Sequence, residues 1–202
     1  MSTTVVMKKA GWICLLLAAL LLGGVIAGCR SDRQRLRAAQ AELAETTLPQ
    51  GLQPPHFVAA VNAAATPPVD WRREPLKQSD KHCHQVWLSP SGKTAYGVIY
   101  FTLPGVADVI QIPMDWVLKG YLDAMRADQG EARLVSRQDD PNLPGVRFTA
   151  EGGMYTTYTN LITAGRHGWA VYVGTLRDEP IAPSEFELAQ QAREQTRICI
   201  PE

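Results

Sequence analysis

The sequence predicts an α+β fold, an antiparallel sheet of about six strands covered by two helices, preceded by a signal peptide and a spacer. Three observations support this. Apolar and polar residues alternate in several segments between residues 82 and 176. A helical apolar stripe starts at Pro113. The strands are joined by hairpin-like turns instead of repeated β-α-β units. The predicted boundaries are 1–28 for the signal, 29–68 for the spacer and 69–202 for the domain.

The first 29 residues have the pattern of an exported lipoprotein precursor. Lys8 and Lys9 precede nineteen uncharged residues, 10–28, and small residues then lead to Cys29. Small residues allow the backbone to enter a peptidase site, and the cysteine offers a thiol for a lipid. Because nineteen apolar residues approach the roughly 20 that span a bilayer, an uncleaved membrane anchor is the alternative.

The motif Ile26-Ala27-Gly28-Cys29 resembles the bacterial lipobox. The resemblance implies cleavage between Gly28 and Cys29 and attachment of acyl chains such as palmitate to Cys29. Arg30 follows the cysteine, where an Asp would indicate retention in the inner membrane. In a cell with two membranes, the periplasmic side of the outer membrane is therefore the favoured location in the envelope.

Charge composition argues against nucleic acid as a partner. Without residues 1–28 the chain loses Lys8 and Lys9, which leaves 18 basic against 20 acidic residues and a net charge of −2. Phosphate binding requires a basic face. The sequence also has no polybasic patch for anionic lipid, so the acyl chains are expected to hold the protein at the membrane.

The segment from 29 to 68 is expected to act as a tether. Residues 30–47 are charged and rich in alanine, which favours a short, exposed polar helix. The following stretch combines many alanines with five prolines, which prevent regular packing and stiffen a spacer: Pro49, Pro54, Pro55, Pro67 and Pro68.

The domain is expected to open with a hairpin and a helix, after a short extra strand around Trp71. Strands at 82–88 and 94–103 flank Ser89-Pro90-Ser91-Gly92, where Pro and Gly suit a turn. Pro113 then opens a helix and Gly130 ends it. The apolar stripe of this helix recurs at i, i+3, i+4, i+7, i+8 and i+11: Met114, Val117, Leu118, Tyr121, Leu122 and Met125.

Four further strands and a second helix complete the predicted order. The strands are placed at 132–138, 146–150, 154–163 and 169–176. Tyr155 and Tyr158 differ in parity, so they should point to opposite faces of the sheet. Ser184 and Glu187 form a capping-box pattern that starts the last helix, which should reach about Thr196.

Two cysteines form a candidate disulfide. Cys14 leaves with the signal and Cys29 takes the lipid, so Cys83 and Cys199 remain as a pair in an oxidising compartment. Such a bond would close a loop of more than one hundred residues, which the chain-entropy account values at about 4.7 kcal/mol. The alternative is two buried free thiols, since cysteine packs well as a small apolar side chain.

His82-Cys83-His84 is the strongest local cluster of metal-ligating residues. On a strand, His82 and His84 share one face and could hold a transition metal as part of a larger site. A third ligand, such as His167 or a carboxylate, would be needed. The alternative is two solvated histidines at the start of a strand, with Cys83 turned inward.

Four segments of the domain carry a family resemblance: Trp87-Leu88-Ser89-Pro90-Ser91-Gly92, the 117–125 helix, Val146-Arg147-Phe148-Thr149-Ala150 and Ala170-Val171-Tyr172-Val173. Together they resemble the PsbP-like proteins, extrinsic photosystem II subunits and their relatives. The similarity covers roughly residues 69–199 and implies an α/β/α sandwich shared with a small Ran-binding nuclear-import factor. It also implies an accessory or assembly role, with divalent metal bound in some members.

No catalytic motif is evident, so the sequence favours a protein that is not an enzyme. It lacks Gly-x-Ser-x-Gly, and its acidic pairs lie beside prolines in turns. The expected function is that of a lipid-anchored envelope module that binds or assembles with an unidentified envelope protein. Apart from the lipid on Cys29, no cofactor is expected. The alternative function is transition-metal binding through His82 and His84.

Overall fold

An eight-stranded antiparallel sheet forms the centre of the computed structural model, which describes residues 48–79, 82–108, 112–140 and 145–200. These residues belong to one unit, Thr47–Glu202. The strands run in the order β3-β5-β6-β10-β9-β8-β7, and β4 also pairs with β5. Their bounds are Arg72–Arg73 (β3), Lys77–Gln78 (β4), His82–Leu88 (β5), Thr94–Thr102 (β6), Arg133–Asp140 (β7), Gly145–Gly152 (β8), Tyr155–Ala164 (β9) and His167–Leu176 (β10).

A second, three-stranded sheet is built from both ends of the described chain. It consists of His56–Val58 (β1), Ala63–Ala65 (β2) and Arg197–Ile198 (β11), in the order β1-β2-β11. A short 3-10 turn, Ala59–Val61, joins β1 to β2. The indole nitrogen of Trp169 donates a hydrogen bond to the carbonyl of Val61, which fixes the small sheet against β10.

The predicted sheet of about six strands covered by two helices, in the manner of a PsbP-like sandwich, is therefore wrong. The described residues form eleven strands in two sheets and two α-helices. The longer strands β5 to β10 lie where alternation predicted them. The additional strands are two or three residues long, too short to show a period of two, and tertiary contacts hold them in place.

The spacer prediction also differs from the structure. Part of residues 48–68 forms β1 and β2, and Val58 and Val61 are buried in the core. The folded unit thus begins before the predicted boundary at residue 69. Prolines and alanines suggested a linker, but Ala63, Ala64 and Ala65 are small enough for a buried strand to approach the main sheet closely.

The first helix, α1, spans Met114–Gln129, as the apolar stripe predicted. Pro113 occupies the N-cap position, and Gly130 ends the helix with φ 83°, a left-handed conformation that favours glycine. The helix buries Val117, Leu118 and Leu122 along the predicted stripe.

The second helix, α2, spans Pro183–Gln195, and its start differs from the prediction. The N-cap residue is Ala182, and it makes no side-chain capping bond. Ser184 lies inside the first turn, so the capping box is not formed. Glu185 instead accepts hydrogen bonds from the backbone and hydroxyl of Ser91 in the β5–β6 turn, which ties the helix to that hairpin.

The two helices cover different parts of the main sheet, on opposite faces. One core joins α1 to β8, β9 and β10, through residues such as Phe148, Leu161 and Ala170. The other core joins α2 and the small sheet to β5, β6 and β10, through Trp87 and Trp169. Below, these faces are called the α1 face and the α2 face. Since side chains alternate along a strand, each residue of the sheet is assigned to one of them.

Candidate functional site

His84 and Tyr172 form a partly buried pair on the α1 face. The hydroxyl of Tyr172 lies 2.7 Å from Nε2 of His84 and is hydrogen-bonded to it. Tyr172 is on β10 and His84 on β5, so the phenol reaches across the intervening strand β6. It can do so because Gly97, its direct cross-strand partner, has no side chain.

The surroundings keep both members of this pair uncharged at neutral pH. Burial, followed by the positive charges of Lys77 and His82, lowers the pKa of His84 to about 4, while Asp128 acts weakly in the opposite direction. Burial also raises the pKa of Tyr172 well above its usual range. A neutral imidazole bonded to a neutral phenol links two strands, and no carboxylate of the described residues is hydrogen-bonded to either ring.

His82 and His84 share the α1 face, as predicted, and metal binding by this pair stays a prediction. His82 is exposed, and its Nδ1 lies 2.9 Å from the hydroxyl of Ser79. His84 already has Nε2 engaged with Tyr172. Within the described residues, no group of three His, Cys, Asp or Glu side chains is placed to hold a metal ion.

His167, one of the third ligands that the sequence offered, belongs to a separate cluster on the α2 face. Its Nδ1 lies 2.7 Å from the hydroxyl of Tyr100, and the two rings are stacked with centroids 5.9 Å apart. Trp169 completes the cluster, 5.5 Å from the Tyr100 ring. The sheet therefore separates His167 from His82 and His84, and sequence alone could not have shown that the two histidine groups lie on opposite sides.

The two tyrosines of β9 lie on opposite faces of the sheet, as their parity predicted. Tyr158 lies on the α2 face and packs edge-to-face on Phe186 of α2, with ring centroids 5.0 Å apart. Tyr155 lies on the α1 face and is 41% exposed. The two tyrosines thus contribute to opposite sides of the sheet.

Both cysteines of the candidate disulfide are free thiols in the structure. Cys83 lies on the α2 face, directly opposite Tyr100 of β6, and packs at the edge of that core. Cys199 donates its backbone N–H to the carbonyl of Asn62, beside β2. Burial raises the pKa of the Cys199 thiol, which disfavours the reactive thiolate.

The predicted lipidation site, Cys29, and the cleavage site, between Gly28 and Cys29, lie outside the described residues. Among the described helices, none is both long enough and apolar enough to cross a bilayer. The anchor therefore remains a prediction from the sequence.

A feature that the sequence reasoning missed is the exposed side of α1. Trp116 is 72% exposed and lies opposite the buried stripe of that helix. Asp115, one residue earlier, bonds Arg137 of the edge strand β7, which carries the exposed apolar residues Leu134 and Val135. The signal was available, since Trp116 does not fit the i, i+3, i+4 stripe.

Comparisons with known proteins assign no family. No family model matches the chain, and no curated protein matches it. A crystal structure from Bacteroides thetaiotaomicron VPI-5482 is similar at 11% identity, with a TM-score of 0.36. The match covers 71% of this chain and 47% of that one, so this chain spans about half the length of its neighbour. A similarity of this size assigns neither fold nor function.

Proposed function

We propose that this chain is a lipid-anchored protein of the cell envelope whose folded unit binds a partner and catalyses no reaction. The anchor is the acylated Cys29, and the partner is an envelope protein. The lipobox pattern, with Lys8 and Lys9 ahead of an uncharged segment, supports the location.

The observation that carries the binding role is the exposure of Trp116. A tryptophan side chain offers one of the largest apolar contact areas of any residue, and tryptophan is enriched at protein interfaces. In this structure it projects from a helix that is otherwise well packed, so its exposure is not a failure of the core. Leu134 and Val135 on the edge strand β7, which Arg137 connects to α1, add exposed apolar surface.

The titratable groups of the described chain support a role in binding over one in catalysis. His84 and His167 are each hydrogen-bonded to a tyrosine hydroxyl. Both described cysteines are partly buried, and the Cys199 thiol is held protonated. These groups strengthen the packing of the two cores and do not converge on one cleft.

The test is photocrosslinking in intact cells from two positions of the full-length chain. A photoreactive phenylalanine analogue replaces Trp116 in one variant and Glu187, exposed on α2, in the control. We expect a discrete protein adduct from position 116 and none from position 187, with the captured protein identified by mass spectrometry. Equal labelling of abundant bystanders from both positions would contradict the proposal.

A further inference from the structure

The outer face of α1 carries a row of exposed residues at helical spacing. Trp116, Gly120, Asp123 and Ala127 follow one another at intervals of four, three and four, and all four are exposed. That spacing is the seam along which two helices pack against each other. The helix therefore has one stripe that is buried in the core and a second stripe, on its opposite side, that is exposed.

The contacts of the described fold do not explain why residue 120 is a glycine. A Cβ added at this position would meet nothing within 4 Å, and no left-handed backbone angle is recorded there. Glycine is among the poorest helix formers, so an alanine would suit an isolated helix better. A glycine in the middle of an exposed stripe is instead useful where another backbone must approach closely.

Lys119 lies beside this stripe and carries the opposite charge to Asp123, which belongs to it. Lys119 and Asp123 are four residues apart, and within α1 the ammonium lies 2.9 Å from the carboxylate. If a second α1 is laid antiparallel with its centre near residue 121, each Lys119 comes opposite the other copy's Asp123. In the same register each Trp116 comes opposite the small Ala127 of the other copy, and the two Gly120 residues lie near the centre.

We infer that the outer face of α1 pairs antiparallel with the same face of a second copy of this chain. The interface is isologous, so one surface supplies both a bulky tryptophan and the small residues that receive it. This inference deepens the proposed binding role by naming one partner. A single pair of sixteen-residue helices falls in the class of weak interfaces, below about 1,200 Å². Anchoring both copies to one membrane raises their effective concentration.

The experiment uses the full-length lipidated chain in vesicles of phosphatidylethanolamine and phosphatidylglycerol. A photoreactive phenylalanine analogue replaces Trp116, which keeps an aromatic side chain there, and irradiation should yield a homodimer whose adduct maps to the peptide that contains Ala127 of the other copy. Lys119→Glu should lower the dimer yield about fivefold, because it places like charges opposite each other. Combining it with Asp123→Lys should restore the yield. Because this swap also restores the charge pair within α1, the melting temperatures of both variants are measured with the yield, and a yield that falls at unchanged melting temperature reports the interface.

Gly120→Ala provides a second test whose two effects differ in sign. The substitution should raise the melting temperature of the chain, since it favours the helix, and at the same time lower the dimer yield by blocking close approach. A monomer under all conditions, or an adduct that maps away from Ala127, would overturn the inference. If position 116 captures a different protein in cells while the vesicles give no dimer, self-pairing fails and the proposed binding role stands.

Discussion

Tyr172 lies flat across Gly97, its direct partner on the neighbouring strand, and so reaches His84 two strands away. A Cβ at Gly97 would lie 2.5 Å from the ring carbon Cε1 of Tyr172. The same device occurs once more on this face, where Phe101 lies over Gly168, again a directly paired residue. In both pairs an aromatic ring occupies the space above a glycine, so the glycine does not leave a gap in the strand.

We expect Gly97→Ala to destabilise the protein, because the new methyl group displaces the Tyr172 ring and its bond to His84. Overpacking of a filled core typically costs about 1 to 3 kcal/mol. The matched control is Gly174→Ala on β10, where a Cβ would make ordinary contacts of 3.6 Å or more. Urea unfolding of the two variants measures the difference, and equal free energies of unfolding would show that the ring is not held against Gly97.

The lowered pKa of His84 predicts a loss of stability in mild acid. Between its usual value of about 6.5 and its folded value of about 4, the unfolded chain binds a proton that the folded chain excludes. Unfolding is therefore favoured as the pH falls through this window, by up to roughly 3 kcal/mol at 1.36 kcal/mol per pKa unit. Above pH 6.5 the full contribution of His84 to the free energy of unfolding is present.

The measurement for His84 is the free energy of unfolding from pH 7 to pH 4.5 in three proteins. His84→Gln removes the titrating group, so its stability should fall less steeply with acid than that of the native chain. His82→Gln, which removes one of the positive charges that lower the pKa of His84, should reduce the slope by less than His84→Gln does. Burial also lowers the pKa of His56, so some slope should persist in both variants. Identical slopes in all three proteins would contradict the account.

A substitution at Val61 tests whether the proline-rich segment, residues 48–68, belongs to the folded unit. Its side chain is fully buried, and its carbonyl accepts the indole N–H of Trp169. Val61→Ala should cost about 2 kcal/mol through lost burial and the cavity left behind. Val69→Ala is the control, since Val69 is 47% exposed and should change stability by less than about 0.5 kcal/mol. A negligible effect at Val61 would return this segment to the role of a spacer.

Because Cys83 and Cys199 are free thiols in the structure, we expect no disulfide between them. Mature protein unfolded without reductant should react with two equivalents of iodoacetamide, at Cys83 and Cys199. In the folded protein the reaction at Cys199 should be slow, because burial raises its pKa and limits access. An unreactive chain with a mass lower by two hydrogens would establish the disulfide that the even cysteine count suggested.

Which elements could be predicted from the sequence follows from their length and burial. Helix α1 and the strands β5 to β10 are long enough to display a period, and one face of each is buried, so alternation and helical stripes revealed them. The residues Ala63, Ala64 and Ala65 carry no such signal, because three small apolar residues suit a linker as well as a strand. Only packing under the rest of the chain selects the strand.

The contacts between side chains of the candidate site were harder to predict from the sequence than the strands and helices. Parity correctly placed His82 and His84 on one face, but it could not show that Nε2 of His84 is bonded to a tyrosine 88 residues away. It also could not place His167 on the other side of the sheet. Both relationships depend on strand order. β10 lies beside β6 in the sheet, although α1, β7, β8 and β9 lie between these two strands along the chain.

Cys29 is the residue on which the proposed location depends, and its substitution gives a direct test. Cys29→Ser should abolish incorporation of labelled palmitate and move the protein from the membrane fraction to the soluble fraction or leave it as an unprocessed precursor. The thiol is the only group in the lipobox pattern that can take the acyl chains. Cys14→Ser, within the uncharged stretch, removes another thiol and should leave labelling and processing unchanged. Continued palmitate labelling of the Cys29→Ser protein would contradict the lipoprotein assignment. An uncleaved apolar anchor would instead appear in the native protein, as a membrane-bound chain that takes no palmitate and keeps residues 1–28.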